Sequence, residues 1–212
     1  MEIHDMRKEY SEKGLRKTAL KADPIQQFQQ WFDEAVNSNI EEPNAFTLGT
    51  IRQDNFPCNR TLLLKSFDSR GFVFYTNYGS RKAQDITLNP NVSLLFLWLP
   101  LNRQIQVLGR AEKLSSEASA SYFKTRPRES QIGAWASPQS QVVPNRAFLD
   151  DRFDQFEQKF KDHPIDLPDN WGGYCITPIA FEFWQGRNKR LHDRFQYRLD
   201  DKGNWIIERL AP

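Results

Sequence analysis

From residue 45 onward the chain alternates short apolar runs with tight-turn chemistry, and this rhythm limits what it can fold into. Strands are predicted at 45–51, 59–67, 71–76, 92–99 and 104–114, and again at 173–177, 180–184, 194–199 and 205–209. Gln53-Asp54-Asn55, Asp68-Ser69-Arg70-Gly71 and Pro100-Leu101-Asn102 supply turns between them. Helices fill three gaps. One spans 81–88 and stops at Asn89-Pro90. A second spans 115–124, capped by Ser115 or Ser116. A third runs from about 145 to 160, with Phe148, Phe153, Phe156 and Phe160 as its apolar face. Asp23-Pro24 opens an earlier helix, because Asp caps well and Pro suits a first turn. Ile25, Phe28, Trp31, Phe32 and Ala35 then recur at helical spacing. Short strands with tight turns, and helices only as crossovers, point to an antiparallel barrel rather than a parallel α/β sheet. The chain's 212 residues, 39% of them hydrophobic, suit one domain over 23–212. Residues 1–22 are charged, lack apolar periodicity and read as a tail.

The balance of 29 basic and 27 acidic residues excludes a nucleic-acid binder that relies on its overall field, so any anion site must be local. Aromatics reach 13%, which either walls a ring-shaped ligand or fills a bulky core. Cys58 and Cys175 form no CxxC pair and read as free thiols of a reducing compartment. The polar start MEIHDMRKEY is not a signal peptide, and the apolar run 94–101 is too short to cross a membrane. A soluble, cytoplasmic protein is expected. GxGxxG, GxxxxGK[ST], HExxH and GxSxG motifs are all absent. His4, His163 and His192 are scattered and carry no metal-ligand spacing, so an organic cofactor is the expected carrier of any chemistry.

Four constellations stand out. Tyr75-Thr76-Asn77-Tyr78-Gly79-Ser80-Arg81-Lys82 reads as a strand end, a turn and a cationic helix start: a phosphate cradle, or simply a capped helix with solvated charges. Tyr122, Arg126 and Ser130 are spaced by four across a break at Pro127, which also allows a new helix to start. They are a second donor set for phosphate, or helix-surface polar groups. In Glu182-Phe183-Trp184-Gln185-Gly186 and the following loop, Arg190, His192 and Arg194 alternate and share a side if the piece is extended. Arg60 and Lys65 lie five apart, on opposite faces of a regular strand, and can serve one ligand only if the strand bends.

These residues together resemble the pyridoxine (pyridoxamine) 5'-phosphate oxidase family over nearly the whole chain. The specific stretches are RPRESQIGAWAS at 126–137, Gln139-Ser140, WGG at 171–173, EFWQG at 182–186, RLHDR at 190–194 and RLAP at 209–212. The resemblance implies a mainly β fold with flanking helices, a split β-barrel of antiparallel Greek-key type, working as a homodimer with flavin mononucleotide (FMN) between subunits. It implies flavin contacts at Arg60, Tyr75, Thr76, Arg81, Lys82, Gln104, Gln139, Ser140, Trp184 and Arg194. Substrate phosphate contacts fall on Lys65, Tyr122, Arg126 and Ser130, with Arg190 and His192 flanking the substrate ring as catalytic residues. Arg7, Lys8, Glu9 and Tyr10 would close over the substrate as a lid. The implied reaction oxidises pyridoxine or pyridoxamine 5'-phosphate with O2, giving pyridoxal 5'-phosphate and peroxide, with no metal, membrane or nucleic acid involved. Arg194 would stabilise reduced flavin. A flavin reductase of the same fold, a non-enzymatic flavin or B6-phosphate carrier, and a small nucleic-acid-binding barrel are the competing readings.

Overall fold

The structure is a computed structural model that describes residues 2–3 and 14–212. Helix α1 (Pro24–Asn37) begins where the sequence predicts, with the Asp23 carboxylate accepting from Ile25 N at 2.8 Å and Pro24 in the first turn. Its apolar face buries Phe28, Trp31 and Ala35. The strands follow as β1 (Ala45–Ile51), β2 (Pro57–Leu63), β3 (Ser66–Asp68), β4 (Gly71–Asn77), β5 (Asn91–Trp98), β6 (Arg103–Lys113), β7 (Trp171–Gln185), β8 (Asp193–Leu199) and β9 (Trp205–Leu210). Helix α2 (Arg81–Leu88) lies between β4 and β5. Helices α3 (Ser116–Thr125), α4 (Arg128–Ala136) and α5 (Arg146–Lys159) lie between β6 and β7.

All strand pairs are antiparallel, in the order β2-β1-β5-β6-β7-β4-β3. β2 and β3 stand at opposite ends of that order, yet only Leu64 and Lys65 separate them in the chain. Two residues span roughly 7 Å when extended, so the sheet must curl until its edges meet. The single strand expected at 59–67 is therefore two. Leu64 is buried, its N–H donates to Asn44 O at 2.8 Å, and Lys65 N–H donates to Val73 O at 2.9 Å, so the chain turns from the β1 edge to the β4 edge there.

A second difference lies in β7. The sequence predicts two strands, 173–177 and 180–184, parted by Pro178; the chain instead makes one strand of 15 residues. Its register against β6 shifts between Leu108 and Gly109, pairing Gly109 with Pro178 and Leu108 with Ala180. Pro178 thus sits at a bulge, where a ladder donor can be spared. On its other side β7 forks: residues 171–176 pair with β4 and residues 180–185 with β8. This fork is the split of the barrel.

The barrel is filled by aromatic side chains. Phe28 packs edge-on against Phe67, Phe72 and Phe96 at centroid distances of 4.8, 4.9 and 4.9 Å. A second cluster, Phe123, Ile132, Phe160, Ile165 and Trp171, lies under α3–α5. Of the apolar face expected for the last helix, Phe160 is buried, Phe153 and Phe156 pack partly against this cluster, and Phe148 is half-buried. The chain before α1 is pinned to β8: Leu15 N–H donates to Asp193 at 2.9 Å, and Tyr197 Oη–H donates to Lys21 O at 2.8 Å. Among the described residues no helix is long and apolar enough to cross a membrane.

Phe28→Ala should cost about 3–5 kcal/mol, because it empties the centre of an aromatic cluster that cannot collapse. Urea unfolding of Phe28→Ala and Phe148→Ala checks this: the first should lower the midpoint strongly, and the second should cost under about 1 kcal/mol.

Candidate active site

The cationic helix start forms a cradle. Asn77 Oδ1 accepts from Gly79 N at 2.7 Å, which tightens the turn from β4 into α2 and places buried Ser80 as N-cap. Lys82, only 7% exposed, donates from Nζ to Thr76 Oγ1 (3.1 Å), Ser80 Oγ (3.2 Å) and Gln139 Oε1 (3.0 Å). Thr76 also donates to Gln139 Oε1 at 3.1 Å, so the loop after α4 closes onto β4. Ser140 follows with a positive φ of 70°. Burial, and then repulsion from Arg60, pull the Lys82 ammonium down to about 8. Arg60 has partners of its own: Nη1 donates to Leu48 O, Thr50 Oγ1 (2.6 Å) and Cys58 O, and Nη2 lies 3.5 Å from Asp85. Asp85 thus balances Arg60 and leaves Lys82 with neutral oxygens alone. Arg81 is exposed beside it. A buried cation with no carboxylate partner is costly unless an anion joins it. The donor set therefore fits the phosphate end of a mononucleotide.

A parallel aromatic stack adjoins the cradle. Tyr75 lies 3.9 Å from Tyr122 at 13°, and Trp171 continues the stack at 5.4 Å from Tyr75 and 9°. The Arg126 guanidinium lies 4.6 Å over the Trp171 ring. Its Nη1 is buried with no hydrogen-bond partner among the described residues. Arg126 occupies the two-residue break between α3 and α4 that Pro127 imposes. Gln131 Nε2 donates to Phe123 O, Lys124 O and Arg126 O, stapling that break. Tyr122 and Arg126 thus converge across the break. Ser130 stands in the first turn of α4. Lys65 is exposed beside β4, level with Val73, two residues from Tyr75.

Gln104, Trp184 and Arg194 form one row across β6, β7 and β8, on the face away from the core. Arg194 grips Glu182 with both arms of its fork, at 2.8 and 3.0 Å, and donates to Ala211 O at 2.8 Å. Its charge is therefore largely balanced, which tempers the expected role as an unshared cation near reduced flavin. His192 packs on Trp184 with centroids 4.7 Å apart, and its Nδ1 accepts from Arg187 N at 3.1 Å. The neutral ring consequently carries its proton on Nε2. Burial and the Arg190 charge both lower its pKa. The condition under which Arg190, His192 and Arg194 would share a side, an extended backbone, is not met. Residues Asn188–Arg190 form a short 3-10 turn, closed by Leu191 N–H to Asn188 O, with φ of 58° at Lys189 and 59° at Arg190. Arg190 projects from this turn, exposed to solvent.

The two sets lie toward opposite ends of β7. Tyr75 pairs with Gly173, and Trp184 lies at the other end of β7. At about 3.3 Å per residue the stretch from Gly173 to Trp184 runs to about 36 Å along the strand. Arg7 and Tyr10 lie outside the described residues. Thr50 and Asp85 join the site unannounced, and Trp171 and Glu182, quoted only as parts of motifs, join it as partners of Arg126 and Arg194. A counter-ion for Arg60 was the one foreseeable need, but nothing in the spacing points to Asp85.

Two family models match the chain: "Pyridoxamine 5'-phosphate oxidase" over residues 32–160, and "Pyridoxine 5'-phosphate oxidase C-terminal dimerisation region" over 171–212. The chain belongs to the pyridoxine/pyridoxamine 5'-phosphate oxidase family, a family of oxidoreductases. A relative of that name from Rippkaea orientalis is 51% identical with both chains fully covered. Another, from Acaryochloris marina, is 50% identical over 99% of this chain and 95% of its own. The crystal structure of PhzG from Burkholderia lata 383, in complex with tetrahydrophenazine-1-carboxylic acid, superposes with a TM-score of 0.88 at 26% identity, covering 93% of this chain and 98% of that one. A pyridoxamine 5'-phosphate oxidase-related, FMN binding protein from Nostoc punctiforme shares the fold, with a TM-score of 0.71 at 17% identity over 91% of this chain and all of its own.

Lys82 gives a pH signature. Its depressed pKa means that the free protein loses this proton as pH rises through about 8. Anion affinity should therefore be highest below that pH and fall above it. Lys82→Met should weaken a phosphate-bearing ligand by roughly tenfold to a hundredfold, the worth of one charge-assisted hydrogen bond, and flatten the pH dependence. Fluorescence titration of apoprotein with FMN across this range tests both; an unchanged slope in the variant would assign the proton elsewhere.

Proposed function

We propose that this chain is an FMN-dependent oxidase that converts pyridoxine 5'-phosphate or pyridoxamine 5'-phosphate to pyridoxal 5'-phosphate, working as a homodimer. The observation that carries the reading is the pairing of two anion-demanding sets across the Tyr75–Tyr122 contact of 3.9 Å. Lys82 is a buried cation without a carboxylate, and Arg126 has a buried Nη1 without a partner among the described residues. One set suits the FMN phosphate and the other the substrate phosphate. The separation of Tyr75 from Trp184 along β7 supports a shared site, with Gln104, Trp184 and Arg194 of one subunit meeting the cradle of the other. The match to a dimerisation region over 171–212 agrees with this. Free thiols at Cys58 and Cys175 suit a cytoplasmic setting.

Bound FMN would accept two electrons from the C4' carbon and return them to O2 as peroxide; the amine substrate also takes up water and releases ammonia. Arg60, Tyr75, Thr76, Arg81, Lys82, Gln139 and Ser140 would bind its ribityl phosphate end. Gln104 and Trp184 would line the ring system. Arg194 would reach the ring with a charge already shared with Glu182. Lys65, Tyr122, Arg126 and Ser130 would anchor the substrate phosphate and so fix the distance of C4' from the flavin. Arg190 would hold the pyridine ring. His192 would orient the C4' substituent by donating from Nε2, since Nδ1 is engaged with the Arg187 amide. Leu15 is tied to Asp193 beside this loop, and Arg7 and Tyr10 would cover the substrate as a lid.

Two measurements test the reading. Purified protein should show flavin bands that bleach when pyridoxine 5'-phosphate is added without oxygen; a colourless or unresponsive protein would overturn the assignment. In an oxygen-consumption assay, pyridoxine should be at least about a hundredfold poorer in kcat/KM than its phosphate, from the loss of two or more charge-assisted bonds. Arg126→Ala should erase most of that gap by harming only the phosphorylated substrate, whereas His192→Ala should keep the yellow colour and slow turnover.

A further inference from the structure

Arg126 is oriented in an unusual way for a half-buried guanidinium. No acidic side chain among the described residues pairs with it; burial lowers its pKa, and the Tyr122 phenol partly offsets that. Its support is aromatic instead. The guanidinium carbon lies 4.6 Å over Trp171 and 5.7 Å from the Phe123 ring. The Trp171 ring cannot swing. It is 7% exposed, nearly parallel to Tyr75 and Tyr122, and set at 67° to Phe123 at 5.1 Å. Its backbone is fixed by the β7–β4 register opposite Asn77.

From this geometry we infer that Trp171 is a positioning residue for substrate phosphate, presenting Arg126 by its ring face rather than by a counter-ion. The inference rests on the proposed role of Tyr122 and Arg126 as a phosphate set. A carboxylate in the same place would fix the side chain equally well, but it would consume N–H donors and offset the charge. An aromatic face attracts the cation through its quadrupole and takes none of the in-plane hydrogens. Arg126 therefore keeps a full charge, and no carboxylate takes up its hydrogens. The same ring continues the stack that carries Tyr122 and Tyr75, so one side chain holds the guanidinium and the phenol in register.

The test uses the flavin-loaded enzyme with mono-, di- and trifluorotryptophan placed at position 171 alone. These keep the ring's shape while draining its negative face. KM for pyridoxine 5'-phosphate should rise stepwise, reaching about three- to thirtyfold, the span of a desolvated cation–π contact. The competitive inhibition constant of inorganic phosphate should rise in parallel. kcat, flavin content and KM for unphosphorylated pyridoxine should stay within about twofold. Trp171→Phe should fall between wild type and Trp171→Leu in KM, while Phe123→Leu, which disturbs the same cluster, should lower stability more than it raises KM. A KM flat across the fluorinated series, or a loss shared equally by both substrates, would overturn the inference. If Arg126→Ala itself left the preference for the phosphorylated substrate intact, the phosphate set would fail and not merely the role of Trp171.

Discussion

The short link between β2 and β3 is the constraint on which the rest of the structure depends. Two residues, Leu64 and Lys65, join strands that stand at opposite edges of the sheet. Their reach allows no open sheet, so the strands must wrap round a common interior. That interior is then a fixed volume, and large flat side chains fill it at native density with few rotameric choices. Phe28 sits at its centre because α1 plugs the barrel. The same turn decides the fate of two cations. Arg60, before it, reaches Thr50 and Asp85; Lys65, after it, emerges beside β4 near Tyr75. The bend that the sequence left open is the one the fold requires.

Electrostatic balance separates the two ends of the site. At the β4–α2 end, charge is left uncompensated: Lys82 has only neutral oxygens, and Arg126 rests on a ring. At the far end of β7 charge is matched: Arg194 grips Glu182, and Asp193 holds both Arg187 and Arg209. Unbalanced burial of cations costs stability in the free protein and favours whatever anion restores neutrality. Matched pairs carry no such demand and serve instead to hold a loop in place. The uncompensated cations thus lie at one end of β7 and the matched pairs at the other.

Much of this was legible beforehand. Helix α2 falls on the predicted residues because Ser80 and Asn89-Pro90 punctuate it unambiguously, and Asp23, Ser115 and Asn145 cap the helices they precede. Local signals carry local elements. What failed to show was long-range. Residues 178–179 fall between two expected strands, and only the register with β6 turns them into a bulge. Helix α4 was implied by Pro127 as no more than a possible restart. The alternation of Arg190, His192 and Arg194 suggested an extended piece, but the amide of Arg187 reaching His192 curls the loop. Candidate site residues were read from motifs, but which side chains they pair with was not. Asp85 for Arg60, Glu182 for Arg194 and Trp171 for Arg126 are chosen by folding, across gaps of 25, 12 and 45 positions. No periodicity reaches that far.

The bulge in β7 has a consequence best stated as phase. Before it, the even-numbered Tyr174 and Ile176 fill the core; after it, the odd-numbered Phe181 and Phe183 do. One surplus residue at Pro178-Ile179 moves the strand by half a period. Side chains that would otherwise be swallowed by the interior, Glu182 and Trp184, are delivered to the outside instead. A chain lacking that single residue would keep the same composition of strand and nearly the same length, but its tryptophan would be packing material and its glutamate a buried charge without Arg194. The surface on which a second molecule can meet this one is set by an odd count.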